Sequence, residues 1–265
     1  DLSTATFTSE STNTGDTNPA GLFFRDNGAV VYVAGITANT IRTYNLTGAA
    51  WNTGSTNLSF DDAVGPFFGG DLWDVFIGDN GTKLYWLDDG RDCIYQAPLG
   101  IAWDVSSVQG MAMNASLGRY DSILLVDGGT KLFAADASTN ISRYTLSTAG
   151  RLHTAGARDQ DVNMGVGFIN GIEISKDGRK LYVVGTDSYK IYRFTLPTPF
   201  SLTGFSLDGE ITPTGDIGAG TVLVVVEREQ VAAFLDGEAQ AAPFDRNASP
   251  FVRVHRRRYI VHVDE

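Results

Sequence analysis

Cysteine and histidine are scarce in this 265-residue chain. Cys93 is the one cysteine, so no disulfide can form within the chain, and the redox compartment stays open. The histidines are His153, His255 and His262, and the last two, seven residues apart in one presumed strand, would face opposite sides of it. A histidine-based zinc site is therefore not expected, and the sequence predicts no metal and no cofactor.

Positive charge and long apolar runs are also missing. The chain has 20 Lys and Arg against 31 Asp and Glu, and a net charge of −11 argues against a nucleic-acid partner. No apolar run approaches the roughly 20 residues of a membrane span, so none is predicted. No signal-peptide pattern is present, and the chain opens with Asp1. That start is expected if a leader has been removed or if residue 1 lies within a longer product.

Turn formers and aromatic residues are abundant by contrast. There are 30 Gly, 15 Phe and 10 Tyr, but only 8 Pro. This mixture is typical of many short strands joined by tight turns, and no helical periodicity of useful length accompanies it.

A repeat of about fifty residues organises the first two hundred positions. Each copy is centred on a tight turn that ends in glycine, and the turn glycines are Gly28, Gly81, Gly129 and Gly178. An apolar strand precedes each turn, an alternating second strand follows it, and a third strand carries an Ile-to-Leu pattern. A variable polar stretch, such as Thr53 to Phe60, supplies a fourth, outer strand. The aspartates in these turns are explained by turn chemistry without calcium: Asp26, Asp79, Asp127 and Asp177.

The repeat predicts an all-β fold: a β-propeller of four four-stranded antiparallel blades over residues 1–212. Residues 213–265 are predicted to form a small C-terminal β module of three or four strands, used for assembly or anchoring. The first residues resemble the end of another copy. The N-terminal strand is therefore expected to complete the last blade and close the ring. Further blades before residue 1, or a ring shared between chains, remain alternatives.

The repeat resembles two groups of proteins, the YVTN/lactonase-like β-propellers and the propeller repeats of marine bacteriophage tail and virion proteins. The second resemblance is carried by a segment after the third strand, which occurs in four forms: Ala102-Trp-Asp-Val-Ser-Ser107, Ala50-Trp-Asn-Thr53, Leu2-Ser-Thr-Ala5 and Leu146-Ser-Thr-Ala149. The resemblance covers residues 1 to about 207. It implies the fold far more than a function, because propellers host many functions.

Candidate functional residues are few. Trp51 and Trp103 occupy equivalent repeat positions, where they would form either an aromatic platform for a sugar ring or packing at the blade rim. Three acidic segments are expected to be solvated loops with at most a loose cation site: Asp61-Asp62, Asp88 to Asp92, and Asp159-Gln-Asp161. A basic cluster in the C-terminal module is a candidate partner-binding surface: Arg253, Arg256, Arg257 and Arg258. No catalytic motif is present, so no catalytic residue is predicted.

These observations favour a non-enzymatic structural or surface-binding protein. The repeat resemblance points to a tail- or fibre-associated protein of a bacteriophage virion, whose partners would be other virion or surface proteins, further copies of the chain, or a cell-surface glycan. The alternatives are a secreted, extracellular adhesion or lectin-like propeller, and a lactonase-like enzyme. An enzyme would require polar groups with perturbed pKa values at one end of the central channel.

Overall fold

The computed structural model describes residues 16, 18–25, 28–47, 58–67, 70–110, 112–113, 117–136, 138–185, 187–188, 190–212, 223–227 and 259–263. Over these ranges the chain is all-β, and its helical segments are short 3-10 turns. None of them is long and apolar enough to cross a membrane.

Four antiparallel four-stranded sheets follow one another along the chain, each built from consecutive strands. Blade 1 contains β1 (Pro19–Phe24), β2 (Val30–Gly35), β3 (Thr40–Leu46) and β4 (Leu58–Val64). Blade 2 contains β5 (Leu72–Gly78), β6 (Lys83–Asp88), β7 (Cys93–Pro98) and β8 (Ala112–Met113). Blade 3 contains β9 (Ser122–Val126), β10 (Lys131–Ala135), β11 (Asn140–Leu146) and β12 (Ala155–Asn163). Blade 4 contains β13 (Ile169–Ile174), β14 (Lys180–Gly185), β15 (Lys190–Thr195) and β16 (Ser206–Ile211).

The first strands of the blades lie side by side, with β1 against β5, β5 against β9, and β9 against β13. This arrangement of four sheets is a β-propeller, as the repeat predicts. The turn glycines between first and second strands all have positive φ, as expected for tight hairpin turns, with values of 64° at Gly28, 81° at Gly81, 85° at Gly129 and 73° at Gly178.

Apolar clusters between successive blades form the core. Trp86 and Tyr32 lie in the cluster between blades 1 and 2, and Tyr85 and Leu132 in that between blades 2 and 3. The second strands are buried at almost every residue, so the predicted alternation in them is wrong. Both faces of a second strand pack against apolar side chains, and a one-sided pattern would leave one packing face polar.

The outer strand of blade 1 was predicted over Thr53 to Phe60 and is described over Leu58–Val64, so it continues beyond the predicted end, while residues 53–57 lie outside the described part. Its register is set by β3, because Leu58 pairs with Leu46 and Val64 with Ile41. Most of its residues are exposed or half-buried, so the sequence offers no apolar alternation that would locate it.

Two strands of the predicted C-terminal module are described, β17 (Leu223–Glu227) and β18 (Tyr259–Val263), which pair in parallel. β17 lies against β13 and β14 of blade 4. The module's proposed role stays a prediction. Closure of the ring by the N-terminal strand also stays a prediction, because residues 1–15 lie outside the described part.

Candidate functional site

The turn glycine of a blade is covered by a residue that follows the third strand of the same blade. The backbone N–H of Trp103 donates to the carbonyl oxygen of Gly81 at 2.8 Å. Gly150 and Phe200 make the same 2.8 Å bond to Gly129 and Gly178. All three covering residues have positive φ: 69° at Trp103, 63° at Gly150 and 54° at Phe200. Trp103 therefore belongs to the repeat, and the identity of the residue at this position is free to vary.

The covering residue also joins its blade to the preceding one. The hydroxyl of Tyr32 in blade 1 donates to the carbonyl oxygen of Trp103 at 2.8 Å, and the hydroxyl of Tyr85 in blade 2 donates to that of Gly150 at 2.8 Å. In blade 3, Arg143 Nη1 reaches the carbonyl oxygen of Phe200 at 2.8 Å. Neighbouring blades are thus connected by hydrogen bonds from side chains in the middle of each sheet.

Close packing and a cation hold the indole of Trp103. A Cβ atom built on Gly81 would lie 2.4 Å from several atoms of the ring, so only glycine leaves room for it. The Arg25 guanidinium carbon lies 5.0 Å from the ring centroid, which is a cation–π distance. The half-buried indole packs at the blade rim, and it also lines an open groove. Its use as a platform for a sugar ring stays a prediction.

That groove encloses a cavity of about 390 Å³ between blades 1 and 2. Blade 2 contributes Trp103 and its neighbours in the connection after the third strand, and this connection contacts β4 of blade 1. Blade 1 contributes residues of β2, β3 and β4 and the residue that follows β1: Arg25, Val30, Tyr32, Thr43, Asn45, Asp61 and Asp62. The volume is within the range of about 300–1,000 Å³ that is typical of small-molecule sites.

The lining is polar and predominantly acidic. Among the described lining residues, Asp61, Asp62 and Asp104 are accompanied by a single cation, Arg25. The pKa of Tyr32 is raised to about 12, chiefly by burial, with Arg25 opposing this effect and Asp61 and Asp104 adding to it. The Tyr32 hydroxyl therefore stays a donor at physiological pH.

Blades 3 and 4 show which side chains pair with the aspartate that corresponds to Asp61 of the groove. In each outer strand a bulge places one aspartate opposite the third strand, Asp159 in blade 3 and Asp208 in blade 4. Asp208 pairs with Lys180 at 2.6 Å and with Arg193 at 2.8 Å. Although burial raises the pKa of Asp208, its hydrogen bonds from Lys180, Thr195 and Arg193 bring it below the ordinary value.

Blade 3 repeats this cluster. Asp159 pairs with Arg143 at 2.9 Å, and Lys131 donates to Thr145, which in turn donates to Asp159. The pKa of Asp159 is also lowered: burial raises it, and the hydrogen bonds from Arg143 and Thr145 outweigh that effect. The bulge aspartate is thus held by cations of its own blade in both cases.

Blade 1 keeps the bulge aspartate and lacks its cations. Asp61 lies at the bulge, between the paired residues Phe60 and Asp62. By strand register, the lysine position is occupied by Val30 and the arginine position by Thr43. Among the described residues, no Lys or Arg forms an ion pair with Asp61. The buried Thr43 hydroxyl has no hydrogen-bond partner in that same part of the chain. This departure from the repeat coincides with the cavity.

A second polar cluster lies at the opposite end of the sheets, where the first strands of blades 2 and 3 begin. The buried Asp74 accepts hydrogen bonds from Ser122 Oγ at 3.1 Å and from the Ile123 N–H at 2.9 Å. Close to it, burial raises the pKa of Asp121 to about 6, with smaller contributions from neighbouring carboxylates. Arg119 lowers that pKa and pairs with Asp89 at 2.6 Å.

The structure brings together only some of the residues that the sequence singled out. Trp103 and Asp61-Asp62 meet in the groove, but the two aspartates and Asp159-Gln-Asp161 lie in strands, so the expectation of loops there is wrong. In the segment Asp88 to Asp92, Asp88 ends β6 and Asp89–Arg91 forms a 3-10 turn. No group of His, Cys, Asp and Glu in the described ranges could hold a metal ion. Trp51, Arg253, Arg256, Arg257 and Arg258 lie outside the described residues.

Several groove residues were missed by sequence reasoning, among them Arg25, Tyr32 and Asn45. Their partners across the groove lie in another blade, about 60–80 residues away along the chain. A usable signal is Val30, which stands where the other three blades have Lys83, Lys131 and Lys180, whereas the arginine position also varies in blade 2, where it is Gln96.

Comparison with known proteins gives similar structures only. No family model matches the chain, and no curated protein does. A candidate 6-phosphogluconolactonase from Bacteroides fragilis is 12% identical, with a TM-score of 0.47, and the match covers 74% of this chain and 55% of that one. A candidate 6-phosphogluconolactonase from Bacteroides uniformis is 13% identical, with a TM-score of 0.49 and coverage of 78% and 60%. A Lactobacillus plantarum protein is 20% identical, with a TM-score of 0.47 and coverage of 73% and 57%. The chain thus spans less than two thirds of these structures, and the similarity concerns the fold alone.

Proposed function

We propose that this chain is a non-enzymatic, surface-binding β-propeller that binds carbohydrate in the groove between blades 1 and 2. The observation that carries the proposal is the cavity of about 390 Å³, whose lining combines the indole of Trp103 with side-chain carboxylates and the amide of Asn45. An indole offers an apolar face to a sugar ring, and carboxylate and amide groups accept or donate hydrogen bonds to its hydroxyls.

The groove's position also supports a binding role. It lies between two blades that are fastened together by the Tyr32 to Trp103 hydrogen bond, so the walls are held before a ligand arrives. A preformed site loses less conformational entropy on binding than one that must be ordered. Attachment to a virus particle, to other copies of the chain or to a cell surface stays a prediction from the repeat sequence.

Calorimetric titration with a panel of soluble oligosaccharides tests the proposal. We expect saturable binding by the wild-type chain, and a loss of about tenfold or more in affinity for Trp103→Ala. Because the Trp103 ring also packs against Gly81, the exposed groove residue Asn45 provides a second variant, Asn45→Ala, that leaves the fold intact. Phe168→Ala, at an exposed aromatic residue outside the groove, is the matched control and should bind as the wild type does.

Absence of binding to any oligosaccharide on the panel would refute the carbohydrate proposal. Binding that is unchanged in both groove variants would refute the location. Either result is informative only with folded protein, so each variant's thermal unfolding is measured alongside.

A second candidate function is hydrolysis by a lactonase-like propeller. It is favoured by the buried Asp121 carboxyl, whose pKa of about 6 would suit proton transfer near neutral pH. A panel of lactones and esters tests it, with Asp121→Asn expected to abolish any turnover. Turnover that persists in this variant, or no turnover of any compound, would count against the second candidate.

A further inference from the structure

We infer that the ligand of this groove carries an ammonium group, as an amino sugar does, and that Asp61 binds it. This inference rests on the proposed function and narrows the class of carbohydrate. It is drawn from the difference between blade 1 and blades 3 and 4.

The chain itself shows what the bulge aspartate binds in this environment. In blade 4 the Lys180 ammonium lies 2.6 Å from Asp208, and Lys180 also donates to Thr195 Oγ1 at 2.9 Å. The carboxylate and the side chain of the third strand thus form an ammonium site that is filled from within the blade. In blade 1 the register places Asn45 at the position of Thr195, so a similar pair of oxygens is available.

Blade 1 has no lysine ammonium at this position, and its residues line a cavity there. Val30 stands where blades 3 and 4 have lysine, and its shorter side chain carries no charge. Asp61 is left without an ion pair from any described cation, and it lines the open groove. A carboxylate in such a place attracts an external cation of the kind that the repeat otherwise supplies.

The charge of the whole lining favours the same ligand. Among the described residues of the lining, the carboxylates of Asp61, Asp62 and Asp104 outnumber the one guanidinium, so this part of the lining carries a net negative charge. That guanidinium, Arg25, is directed at the Trp103 ring. A neutral sugar would leave this negative charge uncompensated, whereas an amino sugar would reduce it and keep its ring against the aromatic wall.

Calorimetry with three tetrasaccharides of glucose-type sugars tests the inference: a glucosamine tetramer, an N-acetylglucosamine tetramer and a glucose tetramer, at a pH at which the amine is protonated. We expect the glucosamine tetramer to bind about tenfold or more tightly than the other two. Asp61→Asn should reduce its affinity to the level of the neutral sugars. Val30→Lys, which rebuilds the lysine of blades 3 and 4, should do the same.

Asp208→Asn is the matched control, because it removes the bulge aspartate of a blade that has its own cations, and it should keep the preference for the amine. Equal affinity for the three tetramers would overturn the inference and leave the proposed function standing. Binding of none of them would overturn the inference, and the oligosaccharide panel described above would then decide the proposed function. A lysine amide that binds as tightly as the glucosamine tetramer would overturn the assignment to a sugar and indicate a lysine side chain of a protein partner.

Discussion

The hydroxyl of Tyr85 in blade 2 donates a hydrogen bond to the carbonyl oxygen of Gly150 in blade 3 at a distance of 2.8 Å.

 The bond joins Tyr85 Oη to the carbonyl oxygen of Gly150 across 65 residues of chain. Gln96 Nε2 donates to the same oxygen at 2.9 Å, and Gln96 Oε1 accepts from the Leu152 N–H at 2.9 Å. Burial raises the pKa of Tyr85, so its hydroxyl stays protonated. Blades 2 and 3 are therefore joined by a small polar network inside an apolar interface.

Replacing Tyr85 with Phe should lower the free energy of unfolding by about 1 kcal/mol, because a buried hydrogen bond is lost while Gln96 still satisfies the Gly150 oxygen. Urea denaturation measures the change. Tyr192→Phe is the control, since the Tyr192 hydroxyl makes no hydrogen bond to the described part of the chain, and it should change stability little. Equal losses in the two variants would contradict a role for this bond.

Gly81→Ala should lower the oligosaccharide affinity of the groove more than Gly128→Ala does. Both glycines have positive φ, 81° and 61°, so both alanines meet similar backbone strain of about 1 kcal/mol. A Cβ atom at Gly81 would also displace the Trp103 ring, whereas one at Gly128 would meet no atom within 4 Å. We expect only Gly81→Ala to reduce oligosaccharide affinity, and a similar loss in both variants would contradict this reasoning.

Arg143→Met should destabilise the chain by about 1–2 kcal/mol more than Arg193→Met does. Both arginines pair with the bulge aspartate of their own blade, and their side chains are similarly buried, with exposed fractions of 15% and 20%. Arg143 additionally donates to the carbonyl oxygen of Phe200 in the next blade. Thermal and urea unfolding of the two variants give the comparison, and indistinguishable values would show that the contact between blades contributes nothing.

Asp121→Asn should change how stability depends on pH. The pKa of Asp121 in the folded chain is about 6, above its ordinary value, so the protonated form is favoured by folding. The stability that the protonated Asp121 carboxyl contributes is fully present below about pH 4. It is lost as the pH rises through about 6. At pH 7 the ionised carboxyl should cost up to about 3 kcal/mol, which the asparagine variant avoids.

The measurement is the difference in unfolding free energy between wild type and Asp121→Asn at pH 4 and at pH 7. Taking a difference cancels the opposite contribution of carboxylates with lowered pKa values, such as Asp159 and Asp208. A difference that does not grow with pH would contradict the burial of an ionisable carboxyl at this position.

The sequence predicted the blades well, because each blade repeats a strong local signal. A turn glycine with positive φ fixes the first hairpin, and the apolar strands around it are buried in every copy. The outer strands were harder to place, because β4 and β12 are largely exposed and pair through bulges at Asp61 and Asp159.

The groove could be predicted only in part. Trp103 was identified from its repeat position, but its neighbours Arg25 and Tyr32 come from the preceding blade, and no local pattern connects them. The significance of Asp61 depends on its register opposite Val30 and Thr43, which only the pairing of strands reveals.

The most direct test of the binding site follows the four tryptophan indole N–H signals by ¹⁵N NMR during titration with the glucosamine tetramer. Trp103→Phe assigns the groove signal by its disappearance. The account predicts a saturable shift of the Trp103 signal, while Trp86, which is 1% exposed, stays in place. A saturable shift at Trp86 or Trp73 with Trp103 unchanged would contradict it.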